Sequence, residues 1–349
     1  MDNVKAFAAP DPKSKLKPFS INRREPKDTD VLIEIKFCGV CHSDVHQARD
    51  EWGGSLFPMV PGHEIVGLVK QVGPNVKKFK VGDQVGVGCM VDSCQDCPEC
   101  NKGFEQFCQQ GSTLTYNGLE RDGKTPTYGG YSSHITVREE FVLKIPDSLP
   151  LDATAPLLCA GITTYSPLRH WKAGPGKKVA VMGLGGLGHM AVKIAHAMGA
   201  EVSVLSHSES KKEDALKFGA DHFYSTKNEK VFEDLASKFD LIINTVSAEI
   251  DWNKYLNLLA RDGSMVILGI PSDAIPVHAF SLLSNRRSLA GSPIGGIAET
   301  QEMLDFCGQH NITADVEVIP IQKLNEAYER LVKADVKYRF SIDMASLRG

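Results

Sequence analysis

Four of the nine cysteines of this chain fall within fifteen residues, in the spacing C-x2-C-x2-C-x7-C: Cys94, Cys97, Cys100 and Cys108. Four thiolates so close together can surround one zinc ion tetrahedrally, which leaves no coordination position for a substrate. The spacing therefore indicates a structural zinc. An iron–sulfur cluster is the alternative, because C-x2-C-x2-C also opens ferredoxin motifs, although there the fourth cysteine follows after three residues and precedes a proline.

A second set of residue types that can bind zinc or move protons is scattered along the chain. It comprises Cys41, Ser43, Asp44, His46, His63, Glu64 and Cys159. Their spacing alone decides nothing, because an isolated cysteine is more often a buried structural residue. We therefore expect Cys38, Cys89 and Cys307 to be buried thiols without a role in the site. Considered without its neighbours in the sequence, His46 is better interpreted as a surface histidine.

A glycine-rich turn, Gly183-Leu184-Gly185-Gly186-Leu187-Gly188, follows an apolar stretch and precedes a helical pattern. Such a turn lets the backbone approach a pyrophosphate, whose charge then lies at the helix N-terminus. We therefore predict a dinucleotide site formed by Gly183, Gly185, Gly186, Leu187 and Gly188. A glycine-rich turn of any other parallel sheet is the alternative.

The segment about twenty residues further on indicates which dinucleotide would bind. An NAD site carries an Asp or Glu there for the ribose 2′-hydroxyl. This chain has Ser206, His207 and Ser208, with Lys211 shortly after. Hydroxyls and a cation suit a 2′-phosphate, so we predict NADP(H) rather than NAD(H). Glu209 counts against this, and a serine-rich helix cap is the alternative.

The elements that must position these residues form two patterns. The first ~150 residues consist of short alternating strands separated by turn residues. From residue 178 onward strands alternate with helix-length segments, which is typical of βαβ units and a parallel sheet. A helix at 323–332 and a strand at 339–342 close the chain. The predicted fold class is α/β, with a β-rich domain and a doubly wound domain.

The composition narrows the range of functions. The chain has 349 residues, is 42% hydrophobic and 23% charged, and carries a formal net charge of −4. Nothing in this balance favours nucleic acid or an anionic membrane as a partner. No signal-peptide or membrane-spanning pattern is present, so we predict a cytoplasmic enzyme with a small-molecule substrate.

Taken together, the motifs resemble those of a known family. Gly39-Val40-Cys41-His42-Ser43-Asp44, Gly62-His63-Glu64, the four-cysteine segment, Cys159-Ala160-Gly161-Ile162-Thr163-Thr164-Tyr165 and the glycine-rich turn occur in the order seen in medium-chain zinc alcohol dehydrogenases. The resemblance covers essentially the whole chain. It is strongest to the cinnamyl-alcohol-dehydrogenase (CAD) branch and to bacterial aldehyde reductases of the YahK type.

This resemblance implies a domain organisation and a catalytic zinc site. It implies a GroES-like catalytic domain over residues 1–153, with a structural-zinc lobe at 89–111, a Rossmann domain over 154–292, and a return to the catalytic domain over 293–349. Zinc would be held by Cys41, His63 and Cys159. Glu64 would join the zinc when substrate is absent, and Asp44 would orient the histidine ligand.

The resemblance also implies a reaction, in which hydride passes between NADP(H) and a primary alcohol or aldehyde while zinc acts as a Lewis acid. Ser43 and His46 would relay the proton, and Thr163 would contact the nicotinamide. Val246 and Leu268, at the carboxyl ends of strands, are further cofactor candidates. Trp52, Met90 and Ile294 would line an apolar substrate pocket suited to aromatic or medium aliphatic aldehydes.

Three other classes of function fit the sequence less well. A zinc-free quinone or enoyl reductase would lack the thiolate ligands, and a binding protein without catalysis would have lost them or Ser43. An iron–sulfur electron carrier would be coloured. Because relatives pair through the cofactor-domain sheet, near residues 289–294 here, we expect a homodimer, with a tetramer as the alternative.

Overall fold

The computed structural model describes residues 1–271 and 273–348. The chain folds into two compact units, one formed by residues 1–159 together with 295 onward, the other by Ala160–Ile294. The first of these boundaries lies six residues after the expected 153/154 boundary, and the second lies two residues after 292/293. The first lies later because Leu151–Thr154 and the short 3-10 helix Ala155–Leu158 pack on strands of the first unit.

The secondary-structure elements are numbered here in chain order. In the N-terminal part the strands are β1 (Val4–Ala8), β2 (Lys17–Ile21), β3 (Asp30–Val40), β4 (Ile65–Val72), β5 (Gln84–Val87), β6 (Met90–Asp92), β7 (Thr113–Leu114), β8 (His134–Arg138) and β9 (Leu143–Lys144). The helices there are α1 (His42–Ala48), α2 (Pro98–Asn101) and α3 (Leu151–Thr154).

The second unit begins with α4 (Ala160–His170) and then alternates strands and helices. Its strands are β10 (Lys178–Met182), β11 (Glu201–Ser206), β12 (His222–Ser225), β13 (Phe239–Asn244), β14 (Leu259–Ile267) and β15 (Ser288–Gly291). Its further helices are α5 (Gly188–Ala197), α6 (Lys212–Lys217), α7 (Lys230–Asp234), α8 (Trp252–Leu256) and α9 (Ala279–Leu283). The chain then returns to the first unit with α10 (Ile297–His310), β16 (Val316–Pro320), α11 (Leu324–Val332) and β17 (Arg339–Asp343).

The first unit is built on a seven-stranded sheet in which the C-terminal return lies beside the longest N-terminal strand. The order is β16-β17-β3-β4-β5-β9, with β8 also paired to β3. β17 runs antiparallel to β3, and Phe340 lies opposite Val40. The last strand of the chain therefore lies next to the end of β3, where Cys41 follows.

The second unit is a six-stranded, all-parallel sheet in the order β12-β11-β10-β13-β14-β15. The strand order reverses between β10 and β13, and dinucleotides bind outside the carboxyl ends of the strands at such a point. The core of the unit includes the fully buried Ile242, Leu256, Leu259 and Met265. The predicted doubly wound, Rossmann-type sheet is confirmed.

Several elements were not anticipated from the sequence. The longest is α10, whose fourteen residues have only four buried side chains. β12 is an edge strand with four half-buried residues, and it therefore lacks the apolar run by which the inner strands were recognised. Within the described residues, no helix has both the length and the apolar character needed to cross a membrane.

The core of the second unit predicts a stability difference between two leucines on its helices. Leu256 on α8 is fully buried, whereas Leu216 on α6 is 47% exposed. Leu256→Ala should lower the free energy of unfolding by about 2–5 kcal/mol, because it leaves a cavity. Leu216→Ala should change it by less than about 0.5 kcal/mol. The midpoints of thermal unfolding measure both, and equal midpoints would contradict the packing described here.

Candidate metal centres and cofactor site

The first candidate metal centre is assembled where β3 ends and α1 begins. β3 ends at Val40, Cys41 is the N-cap residue of α1, and Asp44 stands in the first turn. The carboxylate of Asp44 accepts a hydrogen bond of 2.8 Å from the backbone N–H of Cys41. This bond satisfies a donor at the helix start and holds Cys41 in place.

His63 and Glu64 come from the segment that leads into β4. Gly62 lies just before them and has a backbone φ of +103°, which residues with a side chain rarely adopt. A Cβ at this position would lie 2.8 Å from the ring of Tyr131. The N–H of Gly62 donates to Asp44 over 3.1 Å. Glycine is therefore required at this turn, because only glycine combines this backbone conformation with so close an approach.

Four side chains converge at this centre: Cys41, His63, Glu64 and Cys159, whose ligand-type atoms all lie within 4.8 Å of one another. The sulfurs of Cys41 and Cys159 are 3.9 Å apart. Two sulfurs that are each ~2.3 Å from one tetrahedral zinc ion lie ~3.8 Å apart, so the spacing fits zinc. His63 uses Nδ1 toward Asp44, which leaves its Nε2 for a metal.

The electrostatics of the centre differ from one side chain to the next. The hydrogen bond from the Cys159 thiol lowers the pKa of Cys41 well below its usual range, and nearby His63 lowers it further. Burial raises the pKa of Glu64 to about 8 even though the charge of Arg339 lowers it. Glu64 and Arg339 form a buried ion pair, with Arg339 at the start of β17.

Arg339 and Gly39 are site residues that the sequence analysis did not identify. A Cβ on Gly39 would lie 1.9 Å from Oε2 of Glu64, so the glycine makes room for this carboxylate. Arg339 is only 2% exposed. Arg339 opens a strand in which Phe340 and Ile342 alternate with polar residues, and a charged residue at the start of such a strand is the signal that could have identified it, since buried charges are paired.

The second candidate metal centre is the four-cysteine lobe, whose sulfurs also lie within 4.8 Å of one another. The sulfurs of Cys94 and Cys100 are 3.8 Å apart, which again is the spacing of two thiolates on one zinc. Backbone N–H groups of Cys100 and Gln109 lower the pKa of Cys97 to about 6. Sulfurs this close surround a single ion, so the geometry favours zinc over an iron–sulfur cluster.

The residues predicted to relay a proton lie one turn apart on α1. The Cys41 thiol donates to the hydroxyl oxygen of Ser43 over 3.6 Å. His46 is bound through Nδ1 to the carboxylate of Glu51 at 2.5 Å, and its side chain is 35% exposed. The ring of Trp52 stacks on His46 with centroids 4.9 Å apart. Glu51 was missed, although an acid five residues after a histidine is a visible signal.

The three residues predicted to line a substrate pocket have different surroundings. Trp52 is 42% exposed beside His46, whereas Met90 is buried in β6 opposite Leu114 of β7. Ile294 belongs to the second unit and has φ of +33°. Trp52 is thus the one with a described contact to a candidate catalytic residue.

The glycine-rich turn joins β10 to α5, as the motif requires. Gly183 has φ of +83°, and a Cβ on Gly188 would lie 2.2 Å from the carbonyl oxygen of Gly183. Both positions therefore need glycine, while a Cβ on Gly185 would meet open space. Gly186 and Leu187 complete the turn before α5 begins at Gly188.

Val246 and Leu268 follow β13 and β14, and both lie at the carboxyl ends of the parallel strands. A Cβ added to Gly183 would be 2.9 Å from Cγ2 of Val246, so this side chain lies against the turn. The N–H of Leu268 donates to the carbonyl oxygen of Asn244 over 2.9 Å. Thr163 lies in the first turn of α4 and is 9% exposed.

The predicted 2′-phosphate site lies where β11 ends. Ser206 is its last residue, and its hydroxyl oxygen accepts the N–H of Ser208 over 3.2 Å. His207 and Ser208 are exposed, and Lys211 ends the 3-10 turn Glu209–Lys211. No carboxylate ends the strand, and polar side chains follow it.

Two family models match the chain. The model described as "Alcohol dehydrogenase GroES-like domain" matches residues 27–147, and the one described as "Zinc-binding dehydrogenase" matches residues 186–309. A GroES-like unit with a thiol–imidazole cluster and a Rossmann-type unit with a glycine-rich turn define the class of zinc-dependent oxidoreductases. The chain belongs to the zinc-dependent alcohol dehydrogenase family, which confirms the predicted class and fold.

Similar proteins are known in several bacteria. The chain is 58% identical over the full length of both chains to NADP-dependent alcohol dehydrogenase C 1 of Mycolicibacterium smegmatis. It is 53% identical to aldehyde reductase YahK of Escherichia coli, with 99% of each chain covered. The crystal structure of CAD from Helicobacter pylori complexed with NADP(H) has a TM-score of 0.92 and 44% identity, with 99% of each chain covered.

The two clusters predict a metal content and its loss on substitution. The purified protein should contain two zinc ions per chain by elemental analysis, and Cys159→Ala should contain one, because the buried set then lacks a thiolate. Cys89→Ala is the matched control, since Cys89 lies near Cys159 but outside both clusters, and it should keep two. A Cys159→Ala protein with two zinc ions would contradict this assignment.

Proposed function

We propose that this chain transfers hydride between NADP(H) and a primary alcohol or aldehyde, and that aldehyde reduction is the main direction. The observation that carries this proposal is the buried cluster of Cys41, His63, Glu64 and Cys159, whose spacing fits zinc. The M. smegmatis and E. coli relatives, by their names an alcohol dehydrogenase and an aldehyde reductase, support the reaction class.

NADP(H) is proposed as the cofactor for two reasons. Similar proteins are described as NADP-dependent or were crystallised with NADP(H). In this chain the end of β11 carries Ser206 instead of an acid, and His207, Ser208 and Lys211 supply further polar groups for a 2′-phosphate. The glycine-rich turn would hold the pyrophosphate, and Thr163, Val246 and Leu268 would lie toward the nicotinamide.

In the proposed mechanism Cys41, His63 and Cys159 hold zinc, with Glu64 as an alternate ligand. Zinc supplies Lewis-acid polarisation of a carbonyl oxygen. Asp44 accepts a hydrogen bond from Nδ1–H of His63 and so leaves Nε2 as the nitrogen that would bind the metal. The four-cysteine lobe would hold a second, structural zinc.

The protein's own groups would deliver the proton. The hydroxyl of Ser43 lies beside Cys41, where it can donate to a substrate oxygen at the same site. The Nδ1 of His46 is engaged by Glu51, so Nε2 is the atom left for proton exchange. Because the side chain is 35% exposed, that proton can be replaced from water.

Three apolar side chains support the proposed substrate class. Trp52 presents an exposed aromatic ring beside His46, and Met90 is buried opposite Leu114. With Ile294 as a third apolar side chain, they favour aromatic or medium aliphatic aldehydes over polyols. A zinc-free reductase of the same fold is disfavoured, because it would have no use for two buried thiols and an imidazole in one cluster.

The first unit would carry the catalytic residues, and the second unit would bind the cofactor. We also propose a homodimer, because β15 is an edge strand of the parallel sheet, paired with β14 on one side. In the same unit Phe280 and Leu283 of α9 are 78% and 69% exposed, and a partner subunit would cover them.

We propose a cytoplasmic location, because a reducing compartment suits the nine cysteines, all of which are free thiols.

The cofactor proposal predicts the outcome of one rate measurement. Purified protein should oxidise NADPH rapidly with cinnamaldehyde or benzaldehyde, and NADH slowly. Ser206→Asp should reverse this preference by roughly a hundredfold, because juxtaposed like charges cost several kcal/mol and each ~1.4 kcal/mol is tenfold. Initial rates with both nucleotides measure the ratio.

Ser206→Asn is the matched control, because asparagine has the shape of aspartate without its charge. It should retain the preference for NADPH. A wild-type preference for NADH would refute the proposed cofactor and leave the zinc chemistry standing. Turnover with neither nucleotide, in protein with two zinc ions, would refute the proposed reaction for these substrates.

The proposed proton relay predicts that removal of the His46 imidazole lowers kcat and that imidazole in the buffer restores part of it. His46→Ala should lower kcat by about a hundredfold with little change in KM, since a positioned acid–base group contributes at least that much. Imidazole added to the buffer should restore part of the rate. His310→Ala, which removes an exposed histidine from α10, should have no effect. If both variants turned over like the wild type, His46 would have no role in proton transfer.

A further inference from the structure

The side chain of Asp44 is fully buried, and four donors reach its two oxygens within 3.1 Å. Oδ1 accepts from the backbone N–H of Gly62 and from Nδ1 of His63, each at 3.1 Å. Oδ2 accepts from the backbone N–H of Cys41 at 2.8 Å and from the hydroxyl of Tyr131 at 3.1 Å. Asp44 has no exposed surface, so it depends on donors inside the protein.

The hydroxyl of Tyr131 completes this set of donors. An ionised carboxylate has about four lone-pair positions, and the four donors fill them. Two donors are backbone groups beside the proposed ligands and a third is His63 itself. Tyr131 is therefore a side chain outside the proposed ligand set that donates directly to Asp44.

Two glycines bring Tyr131 to this position. The N–H of Gly130 donates to the carbonyl oxygen of Gly62 over 2.8 Å, and the N–H of Tyr131 donates to that of Pro61 over 3.0 Å. A Cβ on Gly129 would lie 2.4 Å from each of these two oxygens. The segment that carries Tyr131 is thus fixed against the segment that carries His63.

The phenol remains a donor because it is buried. Tyr131 has no exposed surface, and burial raises its pKa well above the usual range, so the hydroxyl keeps its proton. On the other side of the site, the ring of Tyr116 stacks on His63 with centroids 5.7 Å apart. The ring contact with Tyr116 and the hydrogen bond to Asp44 both hold the imidazole in its orientation.

We propose that Tyr131 is a positioning residue for His63 that acts through Asp44 and slows the loss of zinc from the cluster of Cys41, His63 and Cys159. The inference rests on the proposed assignment of zinc to these residues. Without the fourth donor, Oδ2 of Asp44 has an unfilled position in a site closed to water, which costs about 1–3 kcal/mol. The carboxylate then shifts toward its remaining donors, and His63 loses its fixed orientation.

The test is the rate at which zinc leaves the full-length, zinc-loaded protein in the presence of excess chromogenic chelator. Two phases are expected, one from each cluster. Tyr131→Phe should accelerate only the phase that Cys159→Ala removes, by about 10–100-fold, because changes in groups that hold a metal-binding histidine have effects of that size. The phase from the four-cysteine lobe is the internal control.

Tyr165→Phe is the matched control. Tyr165 is also buried, at 4% exposure, but its hydroxyl belongs to α4 in the second unit. Its removal should leave both phases unchanged, and melting temperatures check that each variant is folded. Equal acceleration in both variants, or in both phases, would indicate general loosening and overturn the inference.

The failure of this inference is distinguishable from failure of the proposed function. A wild-type protein with one zinc per chain would refute the ligand assignment itself. Two zinc ions per chain, with a release rate in Tyr131→Phe within twofold of the wild type, would refute the role of Tyr131 alone. A change in the kcat of Tyr131→Phe without faster release would overturn the inference as well, because the hydroxyl would then act by another route.

Discussion

The metal centre depends on one buried charge, the carboxylate of Asp44. An ionised carboxylate removed from water costs several kcal/mol unless donors surround it. Here those donors come from the start of α1, from the turn at Gly62 and His63, and from Tyr131. Three segments far apart in the sequence must therefore meet within hydrogen-bonding distance before the charge is stable. Cys41 and His63 are themselves donors to Asp44. The hydrogen bonds that stabilise the buried carboxylate therefore also bring two of the proposed zinc ligands together.

A second buried charge pair, between Glu64 and Arg339, extends this arrangement to the far end of the chain. β17 carries Arg339 alongside β3, and Gly39 on β3 leaves room for the carboxylate. In the proposed mechanism this carboxylate would be the alternate ligand, which could join the metal or be released from it. The four-cysteine lobe differs, because its sulfurs accept hydrogen bonds from its own backbone and form a closed set. The first centre is therefore suited to a change of ligands at its metal, and the four-cysteine lobe to a metal whose ligands stay the same.

The two sets of ligand-type residues that lie close together in the structure could be singled out from the sequence, because their chemistry is visible in residue type and, for the four-cysteine lobe, in spacing. The glycine-rich turn is similarly visible, since a Cβ at Gly183 or Gly188 meets backbone or neighbouring side chains. What the sequence did not reveal are contacts made only by tertiary pairing. Arg339, Glu51 and Tyr131 are ordinary residues until β17, the α1 loop and the Gly129–Gly130 turn bring them to the site. Likewise the sequence pattern does not predict α10, because only four of its fourteen side chains are buried and its apolar periodicity is weak.

The pairing of β17 with β3 also determines when this site can form during synthesis. Val40 and Phe340 are neighbours in the sheet although three hundred residues separate them, and contacts of such long range form slowly. Residues 160–294, by contrast, are a contiguous stretch that has left the ribosome before β17 is translated. Domains generally fold as units during synthesis. The nascent chain thus completes residues 160–294 first, and Glu64 lacks its counter-charge, Arg339, until β17 has been synthesised.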